Sequence, residues 1–363
     1  MLREITVENY RALREFRMSG LGRVNLLVGT NNCGKTSILD AIHTLARAGD
    51  LRALLQSLVR RGEFADNDGD VVEVARLVHG HGQGLGEGPA FSVRATNDET
   101  DQHVTASVVR REPGSDVRIP RRPGPSVRST EEIELSPHDL RLEWFRDHVL
   151  TLRRDVPIIH GGGVMRLRVD PHADDLASGR VQFISTDGLA REEVVLLFEA
   201  AVLTDDEPVV LQALRTVEPM VERLASVGAR RTSPSRRGGI DMRVAGQRLP
   251  IGTMGDGIWR LLGIALALVR ARGGILLVDE IDTGLHYTVL TKMWQLVYET
   301  AKRLDVQVFA TTHSRDCYEA LGEVTEPGRQ DISLQRIERG RPEAVAYREA
   351  ILRTAAERGL EVR

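Results

Sequence analysis

Eight consecutive residues, Gly29-Thr30-Asn31-Asn32-Cys33-Gly34-Lys35-Thr36, have the types and spacing that grip a chain of phosphates. The glycines let successive backbone N–H groups curl around phosphate oxygens, and a helix that starts there adds partial positive charge. Lys35 then reaches the β and γ phosphates, Thr36 offers a hydroxyl to magnesium, and Ser37 follows in the first helical turn. Lys35, Lys292 and Lys302 are the only lysines in a chain that otherwise uses arginine, so a rare residue stands where the chemistry needs it. Cys33 inside the loop reads as filling a tolerant position, with an oxidisable thiol as the alternative.

Hydrolysis needs further groups, and three candidates lie downstream. Ile275-Leu276-Leu277-Val278-Asp279-Glu280 is an apolar run ending in two acids. Asp279 is suited to hold Mg²⁺ and Glu280 to polarise the attacking water. Strands often end in solvated acids, but a phosphate loop in the same chain favours the chemical reading. Val306-Gln307-Val308-Phe309-Ala310-Thr311-Thr312-His313-Ser314 delivers His313, 34 residues beyond Asp279. A lone histidine at a strand end is usually incidental; this placement, one crossover helix away, suits a sensor of the γ phosphate. Gly252-Thr253-Met254-Gly255-Asp256-Gly257 opens an apolar helix and reads as a second anion site or a plain helix cap.

These residues need strands and helices to hold them. Val24, Leu26, Leu27 and Val28 predict a strand before the loop, and Ile38, Leu39, Ala41, Ile42 and Leu45 a helix after it. The runs 275–278 and 306–310 predict parallel strands buried on both faces, joined by a helix over 287–303. A strand at 332–337 and a helix over 347–358 complete an α/β end. Residues 91–95 and 103–109 predict a strand pair, and the Pro-, Gly- and Arg-rich segment 113–129 a mobile loop. From Ala190 to Val227 the spacing of Val194, Phe198, Val209, Leu214, Val217, Val221 and Leu224 predicts helix, followed by a hairpin turning at Ala245-Gly246-Gln247.

Composition narrows the function classes. The chain has 363 residues, a formal net charge of −3 and two cysteines, Cys33 and Cys317. Near-neutral charge predicts neither a nucleic-acid coat nor a membrane-surface protein, so any DNA contact must come from a local patch. Two isolated cysteines are too few for a disulfide framework or zinc site, and Glu4 and Glu8 interrupt the N-terminal apolar pattern, so a cytoplasmic protein without a signal peptide is expected. The apolar run 261–269 is too short to span a bilayer.

Taken in order, these motifs resemble the ABC-type ATPases of the SMC, RecF and overcoming-lysogenization-defect group. More closely, they resemble stand-alone bacterial AAA-family members reading S-L-G-D-G, D-E-x-x-x-G-L-H and A-T-T-H-S. Here those stretches are Gly255-Asp256-Gly257, Asp279 to His286, and Ala310 to Ser314. The resemblance implies an α/β P-loop NTPase fold with an ABC-ATPase-type head: a mixed sheet core, a β-rich insertion and a helical lobe. It implies one domain over 1–363, with the nucleotide core in 1–48 and 240–340, the insertion in 50–180 and the lobe in 190–239. It also implies that ATP and Mg²⁺ are bound, and that Gly255, Asp256 and Gly257 of one copy close over nucleotide held by another, in a homodimer. The segment from Asp282 to His286 would then run along that interface. Gly255 replaces the usual signature serine, which removes a hydroxyl contact. Gln182 is the sole candidate for a glutamine loop, with a plain strand residue the favoured reading.

Fifty residues follow His313, without a paired D-x-D motif, and neither a heptad run nor Cys-x-x-Cys is present. The expectation is therefore a separate, nuclease-like effector acting in phage defence or DNA repair. Arginine clusters at Arg121, Arg122 and Arg128 and at Arg230, Arg231, Arg236 and Arg237 offer nucleic-acid contacts, with solvated loops as the blander reading. The alternative function is a binding module that ATP merely holds together.

Overall fold

The computed structural model describes residues 1–48, 50–65, 70–80, 86–112, 135–165, 180–227, 239–325 and 331–358. Two compact units divide the chain: Met1–Glu4, Met18–Leu39 and Asp170–Arg363 form the first, Ile5–Arg17 and Asp40–Val169 the second. These units cut the chain differently from the expected segments, since the second takes in Ile5–Arg17 and begins again at Asp40 rather than near residue 50.

The first unit is organised by a six-stranded sheet. Its strands are β3 (Val24–Val28), β10 (Val181–Ile184), β14 (Ile275–Val278), β15 (Gln307–Thr311), β16 (Ile332–Arg336) and β17 (Val345–Arg348), in the order β10-β14-β15-β3-β16-β17. All neighbours run parallel except β16 and β17. Every residue of β3 and β15 is buried, which explains why Leu26 to Val28 and Val308 to Ala310 are apolar without alternation. At about 1.5–3 kcal/mol for each fully buried aliphatic side chain, such strands carry much of the core's stability. Asn25, the polar residue of β3, is fully buried and satisfied: its Nδ2 donates to the Gly22 and Val308 carbonyls, and its Oδ1 accepts from the Gly22 N–H and the Ser333 hydroxyl.

Around this sheet the unit places α3 (Arg191–Ala201), α4 (Glu207–Arg215), α5 (Asp256–Arg270), α6 (Leu290–Arg303), α7 (Arg315–Val324) and α8 (Glu349–Arg358). Helix α5 is buried from Ile258 through Leu268. In α6 the fully buried Trp294 donates its indole N–H to the Cys317 carbonyl of α7 at 2.9 Å, the partner a buried indole requires.

Two expectations need correction. The segment 190–227 is not helical throughout: helix stops at Arg215, and Val221–Ser226 form strand β11, paired with β12 (Ile240–Val244), which pairs in turn with β13 (Gln247–Pro250). Pro219 lacks an N–H for continuing the helix. A bulge between Val221 and Arg223 then puts Val221 and Leu224 on the same buried face, so a strand acquires helix-like spacing. At the C-terminal end, Tyr347 and Arg348 belong to β17, and α8 starts at Glu349. The Glu349 carboxylate is buried because its Oε1 accepts the N–H groups of Asp331 and Ile332.

The second unit holds most of an eight-stranded sheet in the order β2-β1-β5-β6-β7-β8-β9-β4, whose neighbours from β5 to β4 run antiparallel. The strands are β1 (Leu2–Tyr10), β2 (Leu13–Ser19), β4 (Val71–Glu73), β5 (Gly88–Asn97), β6 (Asp101–Arg110), β7 (Leu135–Arg146), β8 (Val149–Ile159) and β9 (Gly163–Met165). Residues 91–95 and 103–109 are paired as expected, Val93 opposite Val104. Helix α1 (Lys35–Ala46) begins at the phosphate loop, and α2 (Leu51–Arg60) follows it. The segment 113–129 and the arginine clusters at 121–128 and 230–237 lie outside the described residues.

Candidate functional site

The site is assembled at the C-terminal ends of β3, β14 and β15, the edge where ligands meet parallel sheets. The parallel register sets Val278 beside Ala310 and Ala310 beside Leu26, so the three strands end within two residues of one level. Whatever follows each strand is thereby delivered to a common edge.

After β3 the chain turns through Gly29, whose φ is 147°, and a Cβ there would run into the Ile337 carbonyl. Only glycine fits. The Lys35 ammonium is folded back on the loop, donating to the carbonyls of Gly29 at 2.9 Å and Thr30 at 3.0 Å, with Cys33 Sγ at 3.7 Å. Burial pushes the Lys35 pKa down, while Cys33, Asp279 and Glu280 oppose that shift. Cys33 is buried against this amine, consistent with the filler reading.

Thr36 meets the acid of β14. Its hydroxyl lies 3.2 and 3.1 Å from the two Asp279 carboxylate oxygens. Thr311 donates to the same carboxylate at 2.6 Å, and Thr186 lies at 3.4 Å. Glu280 adopts φ 47°, the left-handed region, which costs a non-glycine residue about 1–3 kcal/mol and marks a constrained position. Its carboxylate lies 3.8 Å from His313 Nε2, beyond hydrogen-bond reach. Burial, then the charge of Lys35, lower the His313 pKa, while Glu280 and Asp279 oppose them. His313 therefore stands mainly as a neutral imidazole at pH 7, able to donate or accept.

The glycine turn is placed elsewhere. Gly255 (φ 87°) precedes α5, with open space beside it. A Cβ on Gly257 would lie 3.0 Å from the Gly284 carbonyl, and one on Gly284 would lie 3.1 Å from Asp256 Cβ. The turn thus packs on residues 282–286, and Gly284 (φ 77°) is needed for that approach. Asp282 accepts from the Thr312 hydroxyl at 2.7 Å. Gln182 is a buried residue of β10 opposite Leu276, an ordinary strand position.

Three contributors escape sequence reasoning. Arg260, buried in α5, donates to the carbonyls of Ser185 at 2.8 Å, Asp279 at 2.7 Å and Glu280 at 2.8 Å. Its one signal is a guanidinium in an otherwise apolar helix. Thr311 and Thr186 read as routine strand and loop residues until their hydroxyls meet Asp279. Among the described residues no group of three or more His, Cys, Asp or Glu is arranged to hold a metal. The Thr36 hydroxyl and Asp279 carboxylate are nonetheless hard oxygen donors side by side, which suits Mg²⁺ completed by phosphate oxygens and water.

Residues 1–76 match the family model described as "AAA ATPase domain", and residues 230–316 the model described as "AAA domain, putative AbiEii toxin, Type IV TA system". Over those two stretches the chain is similar to AAA-family ATPases. The two matched stretches carry the phosphate loop, the glycine turn, Asp279, Glu280 and His313. Over 110 residues the core is 33% identical to the DNA replication and repair protein RecF of Thioalkalivibrio sulfidiphilus, covering 30% of this chain and 29% of that one. Over 81 residues it is 31% identical to an ATP/GTP phosphatase of Helicobacter pylori, covering 22% of each. The chain spans no more than about a third of the length of the curated relatives it matches. Among solved structures, the SMC head domain from Thermotoga maritima aligns over 96% of this chain and 98% of that one, at 13% identity and a TM-score of 0.42. No described helix is long and apolar enough to cross a membrane.

Proposed function

We propose that this ATPase core binds ATP with Mg²⁺ on the loop 29–37, hydrolyses it, and closes with a second copy to complete each site. The observation that carries the reading is the meeting of Thr36, Asp279, Glu280 and His313 beside Lys35 at one sheet edge. When bound, Mg²⁺ supplies charge neutralisation beside Thr36 and Asp279. Lys35 exchanges the Gly29 and Thr30 carbonyls for phosphate oxygens, an exchange its buried setting favours because a phosphate is the stronger acceptor. Glu280 accepts a proton from the attacking water, and His313, being neutral, holds a hydrogen bond toward the γ phosphate.

Closure on a second copy is supported by the glycine turn. The space beside Gly255 is open within its own chain, and the neighbours of Gly257 are Gly284 and Leu285. The exposed Tyr287, 4.4 Å from His286 between ring centroids, extends the same surface. We read the output as control of a separate DNA-acting or nuclease-like partner in phage defence or DNA repair. The likeness to RecF over a third of the chain supports the DNA setting. Two free thiols, Cys33 and Cys317, agree with a cytoplasmic protein.

The test is steady-state phosphate release and solution mass with ATP, for the wild type and Glu280→Gln. Turnover should fall at least about 100-fold in the variant while ATP binding persists and a dimer accumulates. Unchanged turnover would remove Glu280 from catalysis. A variant that binds ATP yet stays monomeric would remove the dimer.

A further inference from the structure

The strand β15 ends in Thr311, a fully buried residue where an aliphatic side chain would pack as well. Its hydroxyl donates to Asp279 Oδ1 at 2.6 Å and accepts from the Glu280 N–H at 2.8 Å. Because an N–H can only donate, the hydroxyl must accept from Glu280 and give its one proton to Asp279. The directions are fixed, and a valine there would take the acceptor from the Glu280 N–H and remove the shortest of the hydroxyl contacts to Asp279. The Thr311 carbonyl accepts from the Ile281 N–H at 3.0 Å, so the strand end grips both sides of Glu280.

The Glu280 N–H belongs to the peptide unit that joins the two acids. The other polar atom of that unit is the Asp279 carbonyl, which accepts from Arg260 at 2.7 Å. This single peptide plane is therefore pinned at both ends, by Thr311 from β15 and by Arg260 from α5. Held so, Glu280 keeps φ 47°. Its side chain then lies toward His313, while that of Asp279 lies against Thr36.

We propose that Thr311 is a positioning residue for hydrolysis: its hydroxyl orients the Asp279–Glu280 peptide so that the two carboxylates are directed to different tasks. The proposal rests on the reading of Asp279 as metal-holding and Glu280 as water-polarising. It assigns Thr311 no contact with substrate.

The experiment compares Thr311→Val, which keeps the shape and removes the hydroxyl, with Thr311→Ser, which keeps the hydroxyl. Four quantities are read: kcat and KM for phosphate release, the Mg²⁺ concentration for half-maximal binding of a fluorescent ATP analogue, and analogue affinity without Mg²⁺. For Thr311→Val, kcat falls about 10–100-fold and the Mg²⁺ midpoint rises about 10-fold, the usual cost of losing a group that orients a metal ligand. KM and Mg²⁺-free affinity stay within about 3-fold, and Thr311→Ser keeps kcat within about 3-fold of wild type. A Val variant with wild-type kcat and Mg²⁺ midpoint, or a Ser variant as impaired as Val, overturns the proposal. If Thr311→Val does not fold, Thr311→Ser decides: retained kcat upholds it and a loss of about 10-fold overturns it. Should the wild type release no more phosphate than Glu280→Gln, the ATPase reading fails by itself, and the Mg²⁺ titration still reads Thr311.

Discussion

In the second unit the Asp40 carboxylate, almost wholly buried, is met by Arg60 at 2.9 Å, Arg61 at 2.8 Å and Arg11 at 3.8 Å, while Arg11 also holds Glu63 at 3.0 Å. In the first unit Asp279 is met by the hydroxyls of Thr36, Thr186 and Thr311, with no cation in ion-pair range among the described residues. Both arrangements satisfy a carboxylate, but they leave different charge behind. Asp40 is neutralised by its own chain and is structural. Asp279 is oriented by hydroxyls instead, which leaves its oxygens as donors for a divalent cation. Arg260 sharpens the contrast, for it lies near Asp279 and Glu280 but donates to their carbonyls and leaves the carboxylates alone.

The contrast can be broken by exchanging what each network holds. Asp40→Asn should have the largest effect, because it strands buried guanidinium groups: a stability loss of about 3–5 kcal/mol in chemical denaturation. Turnover per folded molecule should stay near wild type. A variant as stable as wild type would show that the Asp40 network is no structural anchor. Arg260→Met should do the reverse, lowering kcat about 10-fold through a loosened Asp279–Glu280 peptide while the nucleotide still binds. Equal kcat in the two proteins would count against that clamp.

The smallest expected effect is a pH dependence from His43 of α1. Burial first, then the charges of Arg60 and Arg47, hold its pKa well below the ordinary 6.5. The unfolded chain takes up a proton near pH 6.5 and the folded chain does not, so this contribution is complete above that value and is lost as pH falls below it. Thermal midpoints should decline for wild type from about pH 7 to 5 more steeply than for His43→Asn. Parallel curves would show that His43 is not held neutral.

Much of the first unit was legible because its signals are local. An unbroken apolar run means a strand buried on both faces, and G-x-x-x-x-G-K-T needs only a strand before it and a helix after it. Asp279, Glu280 and His313 stood out as polar residues terminating such runs. Thr311 did not, since a threonine is an ordinary β-strand residue and its hydroxyl declares nothing until a partner is near. Arg260 was hidden inside an apolar helix, and β11 was masked by a bulge that imitates helical spacing. The boundary of the second unit was illegible for another reason: it joins Ile5–Arg17 to residues beyond Asp40, and no local pattern announces that union.

The sequence by itself determined the strands around the site, the phosphate loop and the order of the acids, because backbone preference and burial act within a few residues. Only the tertiary structure decided which groups meet. Thr36 and Asp279 lie 243 residues apart and touch because the parallel register aligns Val278, Ala310 and Leu26. That register also brings the Thr311 hydroxyl to the peptide between Asp279 and Glu280. A hydrogen bond forms only within about 3 Å, and that distance is set by strand order and register rather than by any spacing along the chain.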